Sequence, residues 1–224
     1  MNLNLAFLLS AIHEGPTRLD HPLHLADLRK SGLTDETIRL QRFTDVPPHM
    51  IDQLLGFATP KVTSAYLIPF ADPRGGWLDF IRLKIFPPFT DRRGQLVKYL
   101  QPRDSGVQLY FPVSVLERTL HGDADDPLCV VEGEKKALAV AQFGHPTVGI
   151  SGVEGWHAAG SRTLLPAFDD IGLRGRLVDL LPDGDVDTNP HVAAAVRRLA
   201  DALIARGARP RLVLLPATLP EQAP

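Results

Sequence analysis

Two short acidic motifs stand after strand-like runs, the first of them wholly apolar. Leu128–Val131 leads into Glu132-Gly133-Glu134, and Leu177–Leu181 leads through Pro182 into Asp183-Gly184-Asp185-Val186-Asp187. An apolar run of this length, closed by turn residues, has the character of a buried strand. Ligands of an open parallel sheet collect beyond the C-terminal ends of its strands. If the two strands are neighbours, Glu132, Asp183 and Asp185 converge at one sheet edge. Carboxylates gathered this way suit a hard cation, Mg²⁺ or Mn²⁺, which keeps several waters and takes one or two protein carboxylates plus phosphate oxygens. Phosphoryl-transfer chemistry needs such a cation to neutralise developing charge and position oxygens. Glu132, Asp183 and Asp185 are therefore the candidate catalytic and metal-binding residues. Lys135 and Lys136 follow the first motif. They are candidates for holding phosphate, or they form a solvated helix face. A lysine near a helix N-terminus is mildly unfavourable, which favours a nearby anion or carboxylate partner.

The elements that must position these residues alternate. After the first run, Lys135–Phe143 has a helical pattern closed by Gly144. Pro146–Ile150 is a second strand, followed by the loop Ser151–Trp156, and Arg162–Phe168 is expected to be helical. Leu177–Leu181 is a third strand. Asn189 can cap a helix with Pro190 at its first position. Val192, Val196, Leu199 and Leu203 share one face of that helix, and Gly207 closes it. Arg211–Leu215 is the last strand. Strands alternating with helices predict a parallel α/β domain over residues 126–218, with a frayed tail at 219–224.

Upstream, residues 1–122 have an α-then-β pattern. Short helices are expected within Met1–Asp20 and over Leu23–Ser31, Thr34–Phe43 (with Thr34 as N-cap) and Met50–Leu55. Strand-like runs cover Ala65–Pro69, Trp77–Ile85, Leu96–Leu100 and Val107–Phe111. Pro87-Pro88 and Arg93-Gly94 are turn signals, and Gly122–Pro127 has the composition of a boundary turn. From Asp72 to Asp104 there are seven Lys/Arg and four acids, a local net of +3. Arg82, Lys84, Arg92, Arg93, Lys98 and Tyr99 are the candidate nucleic-acid-binding residues there. Bases would stack on Tyr99, and on Trp77, Phe80 and Tyr110. The alternative is that the aromatics form a strand core and the cations its wet face.

Composition narrows the class. The chain has 224 residues, 24 Lys+Arg against 26 Asp+Glu, and one cysteine, Cys129. Nothing here resembles a collagen, a disulfide scaffold or a wholly disordered chain. A single cysteine cannot form an internal disulfide or a multi-thiolate zinc site, so no zinc is expected and a reducing cytoplasm fits. No apolar run approaches the ~18–20 residues a membrane helix needs. Leu3–Leu9 is not preceded by a basic residue, so no secretory leader is expected. The net charge of −2 is not that of a globally basic nucleic-acid binder, so any such surface is local. Known motifs fail on inspection. There is no P-loop; Val153 stands where the nucleophile elbow of Gly149–Val153 needs glycine. Thr188 and Ala194 stand where an EF-hand beginning at Asp183 needs Gly and Glu.

The ordered set Leu128-Cys-Val-Val-Glu132-Gly-Glu-Lys-Lys136 and Leu180-Leu-Pro-Asp183-Gly-Asp185 resembles the Toprim domain of bacterial-type primases and topoisomerases. Tyr66–Phe70, Trp77–Lys84 and Lys98-Tyr99-Leu100 look like the basic β-rich subdomain that precedes Toprim in primases of the phage primase-helicase type. The ending, Asp183–Pro190 with Arg206-Gly207-Ala208 and Leu214-Leu215-Pro216, is similar to an uncharacterised Toprim-like family of plasmid, phage and integrative-element replication proteins. The resemblance implies a fold: a Toprim-like parallel-sheet α/β domain preceded by a basic α+β primase-like subdomain. It implies metal-dependent nucleotidyl transfer on a single-stranded DNA or RNA template, with nucleotides as substrates and a separate helicase or polymerase as partner. In Toprim enzymes the Glu is a general acid/base or metal ligand and the Asp-x-Asp pair binds metal. By resemblance Glu132, Asp183 and Asp185 take those roles. Lys136 stands where many primases carry an acid. A non-catalytic single-strand-binding accessory module, a Toprim nuclease and a haloacid-dehalogenase-like phosphatase are the alternatives.

Overall fold

The computed structural model describes residue 15 and residues 17–184 and 186–214. The expected helix within Met1–Asp20, the tail at 219–224 and Asp185 lie wholly or mostly outside the described residues. The chain divides into two compact units between Gly106 and Val107.

The first unit holds an antiparallel sheet of order β1-β2-β3-β4, built from Thr44–Val46, Ser64–Ala71, Trp77–Thr90 and Leu96–Leu100. Its helices are α1 (Pro22–Lys30), α2 (Asp35–Leu40) and α3 (Pro48–Leu55). Thr34 caps α2, its hydroxyl accepting the Thr37 N–H at 3.2 Å. That helix stops three residues before the expected end, because Arg42 turns left-handed (φ 59°). Strand β1 was not expected: three residues are too few to show a period. One face of the sheet packs on α3, with Ile51, Leu54 and Leu55 against Ala65, Leu67, Ile81, Leu83 and Ile85. The other face carries Tyr66 and meets α1 through His24, whose ring lies 5.5 Å from that of Tyr66. Strand β2 is thus buried on both faces, which is why its sequence is an apolar run without alternation.

Pro87-Pro88 does not turn the chain. It lies inside β3, where the register shifts between Lys84↔Tyr99 and Phe89↔Val97. The extra residues bulge, and a bulge is where a strand tolerates prolines that cannot donate to the ladder.

The second unit holds a parallel sheet of order β6-β5-β7-β8, built from Leu128–Glu132 (β5), Thr147–Ile150 (β6), Leu177–Leu181 (β7) and Arg209–Leu212 (β8). Helix α4 (Leu116–His121) precedes it, α5 (Glu134–Ala141) joins β5 to β6, and α6 (Pro190–Ala205) joins β7 to β8. Asn189 caps α6, accepting the His191 N–H at 3.1 Å. Its buried residues are Ala195, Leu199 and Leu203: two of the expected face are buried, Ala195 joins them, and Val192 and Val196 are half-buried.

Three expectations are corrected here. Val107–Phe111 is not a strand; it makes one antiparallel bridge, Tyr110↔Gly149, against β6. Arg162–Phe168 is not an α-helix; only a 3₁₀ turn forms, at Pro166–Asp170. The last strand begins at Arg209, earlier than its apolar residues suggest. Gly122–Pro127 is held inside this unit: the Arg176 guanidinium, fully buried, donates to the carbonyls of Arg118 (2.8 Å), Thr119 (2.7 Å) and Asp126 (2.8 Å).

Candidate metal and nucleic-acid sites

The acidic motifs meet at the C-terminal edge of the parallel sheet. Strands β5 and β7 are neighbours, with Val131 opposite Leu181. Glu132 ends β5 and Asp183 follows β7, so the topology alone sets them side by side. The contact is direct: the Asp183 N–H donates to Glu132 Oε2 at 3.3 Å. Gly133 makes this possible. It has φ +91° at the cap of α5, a conformation that any side chain would strain. Its N–H is held by the Ile150 carbonyl at 2.8 Å. The chain therefore leaves β5 sharply, and the Glu132 carboxylate stays at the sheet edge.

The Asp183 carboxylate accepts the Lys136 ammonium. Lys136 is on the first turn of α5, where the helix dipole disfavours a cation; the aspartate partner offsets this. Lys135 is half-buried beside it. Glu134, buried on the same turn, accepts the Ser151 hydroxyl at 2.8 Å and so ties the start of α5 to the end of β6. Nothing in the sequence singled out Glu134 for that task except its place in a first helical turn. A second tie was also missed: Glu154 bonds both His157 and Arg198, holding the loop after β6 to α6.

Glu132 and Asp183 are hard oxygen donors on adjacent strand ends, which fits the one or two carboxylates Mg²⁺ takes. Among the described residues, no group of three or more acidic, histidine or cysteine side chains is placed to hold a metal; the third expected ligand, Asp185, lies outside them. Cys129 is buried in β5, and burial pushes its thiol up to about 11, so it stays a protonated apolar filler.

The basic stretch of the first unit splits into two environments. Arg92, Arg93 and Lys98 are exposed at and beside the β3–β4 turn. Asp91 shapes that turn, its Oδ1 accepting the N–H groups of Arg93 (2.8 Å) and Gln95 (2.9 Å). Arg82 is half-buried over the Tyr99 ring, 5.1 Å from its centre. Lys84 does not belong to an exposed patch. Register places it between Tyr66 on β2 and Tyr99 on β4. It is buried, its ammonium 3.9 Å from the Asp27 carboxylate and 5.0 and 5.3 Å from the rings of Phe86 and Tyr99. Burying its stem among rings while pairing its head with Asp27 satisfies the charge. Phe80 and Tyr110 are also buried and offer no face to a base.

Asp27 belongs to a polar network under α1. Tyr66 donates its hydroxyl to Asp27 at 2.7 Å. His24 Nδ1 lies 2.6 Å from Asp45 Oδ1, and its Nε2 lies 3.0 Å from the Ser64 hydroxyl. A carboxylate only accepts, so Nδ1 carries the proton and Nε2 accepts from Ser64. Burial lowers the His24 pKa from its ordinary value and outweighs the Asp45 carboxylate, which raises it.

Residues 119–221 match the family model described as a domain of unknown function, DUF3854. A search of curated proteins returned no match. The fold is that of primase catalytic cores, with a Toprim-like parallel sheet. The chain superposes on the Aquifex aeolicus primase (zinc-binding and RNA polymerase domains) with a TM-score of 0.65 at 15% identity, covering 95% of this chain and 55% of that one. It superposes on the DnaG catalytic core with a TM-score of 0.58 at 19% identity, over 95% and 71% of the two chains. A DnaG primase catalytic domain bound to single-stranded DNA gives 0.59 at 19%, over 96% and 71%. The chain thus spans about half the length of the Aquifex primase chain. Among the described residues, no helix is long and apolar enough to cross a membrane.

Proposed function

We propose that this chain is a primase-like nucleic-acid-processing protein. It binds single-stranded nucleic acid through the exposed cations of its first unit and carries a divalent-metal site at the edge of its parallel sheet. The observation that carries the reading is the contact of Glu132 with the backbone of Asp183 at the C-terminal ends of adjacent parallel strands, within a primase-core fold. Mg²⁺ or Mn²⁺ bound by Glu132 and Asp183, with Asp185 as third ligand, would neutralise phosphate charge during nucleotidyl transfer. The chain's own residues do the rest. The Asp183 N–H fixes one oxygen of Glu132 and so orients the carboxylate that would accept a proton or face a ligand. Arg92, Arg93 and Lys98 attract the template backbone, and Arg82 lies over the Tyr99 ring beside them on the same strand pair. The reading includes a mobile-element replication system, with nucleotides as substrates and a separate helicase or polymerase as partner.

The test is ribonucleotide incorporation on single-stranded DNA and RNA with Mg²⁺ and with Mn²⁺, in wild type and Asp183→Asn. Primer synthesis lost in the variant, with folding intact, is the expected outcome. A second reading is favoured by one observation, the Lys136 ammonium on Asp183: the chain is a non-catalytic single-strand-binding module. Template binding by a wild type that makes no primer with either metal would select it.

A further inference from the structure

We infer that Lys136 is a built-in counter-ion of the acidic edge, so that a divalent cation must displace its ammonium from Asp183 in order to bind. The inference rests on the metal-site reading above and concerns what controls occupancy of that site. Its ground is position. Helix α5 begins directly after β5, and Asp183 directly follows the neighbouring β7, so the first turn of α5 and the Asp183 carboxylate are brought to the same edge. Lys136 occupies that turn and its ammonium bonds Asp183 Oδ1.

The contact has the properties of a displaceable ligand rather than a structural bond. Both side chains are about half exposed, Lys136 at 57% and Asp183 at 45%. Exposed ion pairs of this kind hold weakly and are screened by salt. The neighbouring polar contact differs: Glu134 is buried where it accepts the part-buried Ser151 hydroxyl, and that bond would survive the loss of Lys136. A swing of the flexible lysine stem frees Asp183 without moving α5. Until it swings, the ammonium competes for the oxygens a hard cation needs and adds a like charge beside it. A 2+ ion about 5 Å from a unit positive charge in water is disfavoured by roughly tenfold or more in affinity.

Phosphate gives the released ammonium somewhere to go. Lysine is a compact point charge with rotatable donors, suited to a phosphate oxygen. A nucleotide arriving with the metal would take Lys136 from Asp183, so metal and nucleotide should each raise the other's affinity, as linkage requires.

The experiment is calorimetric titration of the full chain with Mn²⁺ alone, checked by the electron paramagnetic resonance signal of free Mn²⁺. The variants are Lys136→Met, Lys136→Arg, Asp183→Asn and the double variant Lys136→Met/Asp183→Asn, with circular dichroism to confirm folding. The expected result is Mn²⁺ affinity about tenfold tighter in Lys136→Met, within about twofold of wild type in Lys136→Arg, and lost in both Asp183→Asn proteins. Equal Mn²⁺ affinity in wild type and Lys136→Met, still abolished by Asp183→Asn, overturns the counter-ion and leaves the metal site standing. Tighter binding that persists in the double variant places the ion elsewhere and overturns the inference. No Mn²⁺ binding in any variant overturns the inference and the metal reading together.

Discussion

Arg176 is the residue whose loss the structure costs out most directly. It is fully buried, and its guanidinium reaches three carbonyls: Asp126 and Thr119 by one nitrogen each, Arg118 by a third. Arg118 and Thr119 lie in the last turn of α4, where carbonyls run out of intrahelical partners, Arg118 keeping one from the cap and Thr119 none that continues the helix. The cation also sits well against the negative end of the helix dipole. In Arg176→Met the Arg118 carbonyl keeps the Gly122 N–H at 2.9 Å, while Thr119 and Asp126 lose their guanidinium donor. A buried acceptor without a partner costs about 1–3 kcal/mol, so two cost about 4 kcal/mol. Relief of the buried charge returns part of this, giving a net loss of about 3 kcal/mol. With a urea m-value near ~2 kcal/mol/M, the midpoint should fall by about 1.5 M. Arg176→Lys should recover only part, because a single ammonium cannot span three carbonyls set out for a planar fork. Gly122 gives an independent check. A Cβ there would stand 2.2 Å from Arg176 Nη2 and 2.6 Å from the Arg118 carbonyl oxygen. Gly122→Ala should therefore destabilise strongly, and less than additively in the Arg176→Met background, since the guanidinium clash is then gone. An Arg176→Met protein whose urea midpoint stays within about 0.3 M of wild type would refute the whole account.

Other measurements address the remaining features. Because His24 is held neutral with its pKa below the ordinary 6.5, the unfolded chain takes up a proton first as pH falls. Stability of the first unit is then complete above about pH 6.5 and lost progressively below it, and urea midpoints between about pH 7 and 5 should show a slope that flattens in His24→Gln. Arg92→Ala/Arg93→Ala should lower the salt dependence of single-strand binding by up to about two in log–log slope, since each phosphate contact releases counter-ion. Lys84→Met, in contrast, should leave that slope unchanged and shift the urea midpoint instead, because its charge is directed at Asp27. A Lys84 variant with a smaller salt slope would return it to the nucleic-acid surface.

The parallel unit was legible because its first three strands are short, mostly apolar runs closed by acids, prolines or glycines. Leu128–Val131 is buried along its length and Leu177–Leu181 buries Val178 and Leu180 between half-buried residues, and the acids that follow them are the residues with chemistry to offer. The juxtaposition of Glu132 and Asp183 follows from strand order, and strand order from the alternation of elements. What could not be read were properties set by pairing partners. Val107–Phe111 has strand composition but finds one bridge position on β6. Pro87-Pro88 has turn composition but is absorbed by a bulge. Lys84 alternates correctly for a wet face, yet α1 covers that face and supplies Asp27. Gly122–Pro127 has the polarity of a linker, and its fixation depends on an arginine far along the chain. Each of these is a long-range fact, invisible to local period and propensity.

The Tyr110 bridge also bears on solubility. Strand β6 is the edge of the parallel sheet, and all four of its residues are buried. An apolar, unpaired edge is a template for another chain. Tyr110 closes it with two backbone bonds, its N–H to the Gly149 carbonyl at 2.9 Å and the Gly149 N–H to its carbonyl at 2.7 Å. Gly149 lets that cover lie close, since a Cβ there would stand 3.1 Å from the Tyr110 Cβ. The opposite edge, β8, is blunted by other means, with Pro210 between Arg209 and Arg211. A fragment cut at the Gly122–Pro127 turn would keep the blunted edge and lose the covered one. Such a piece would be prone to stack edge to edge through Thr147–Ile150, so the residues from Val107 onward act as an anti-aggregation strap on the sheet that carries the acidic site.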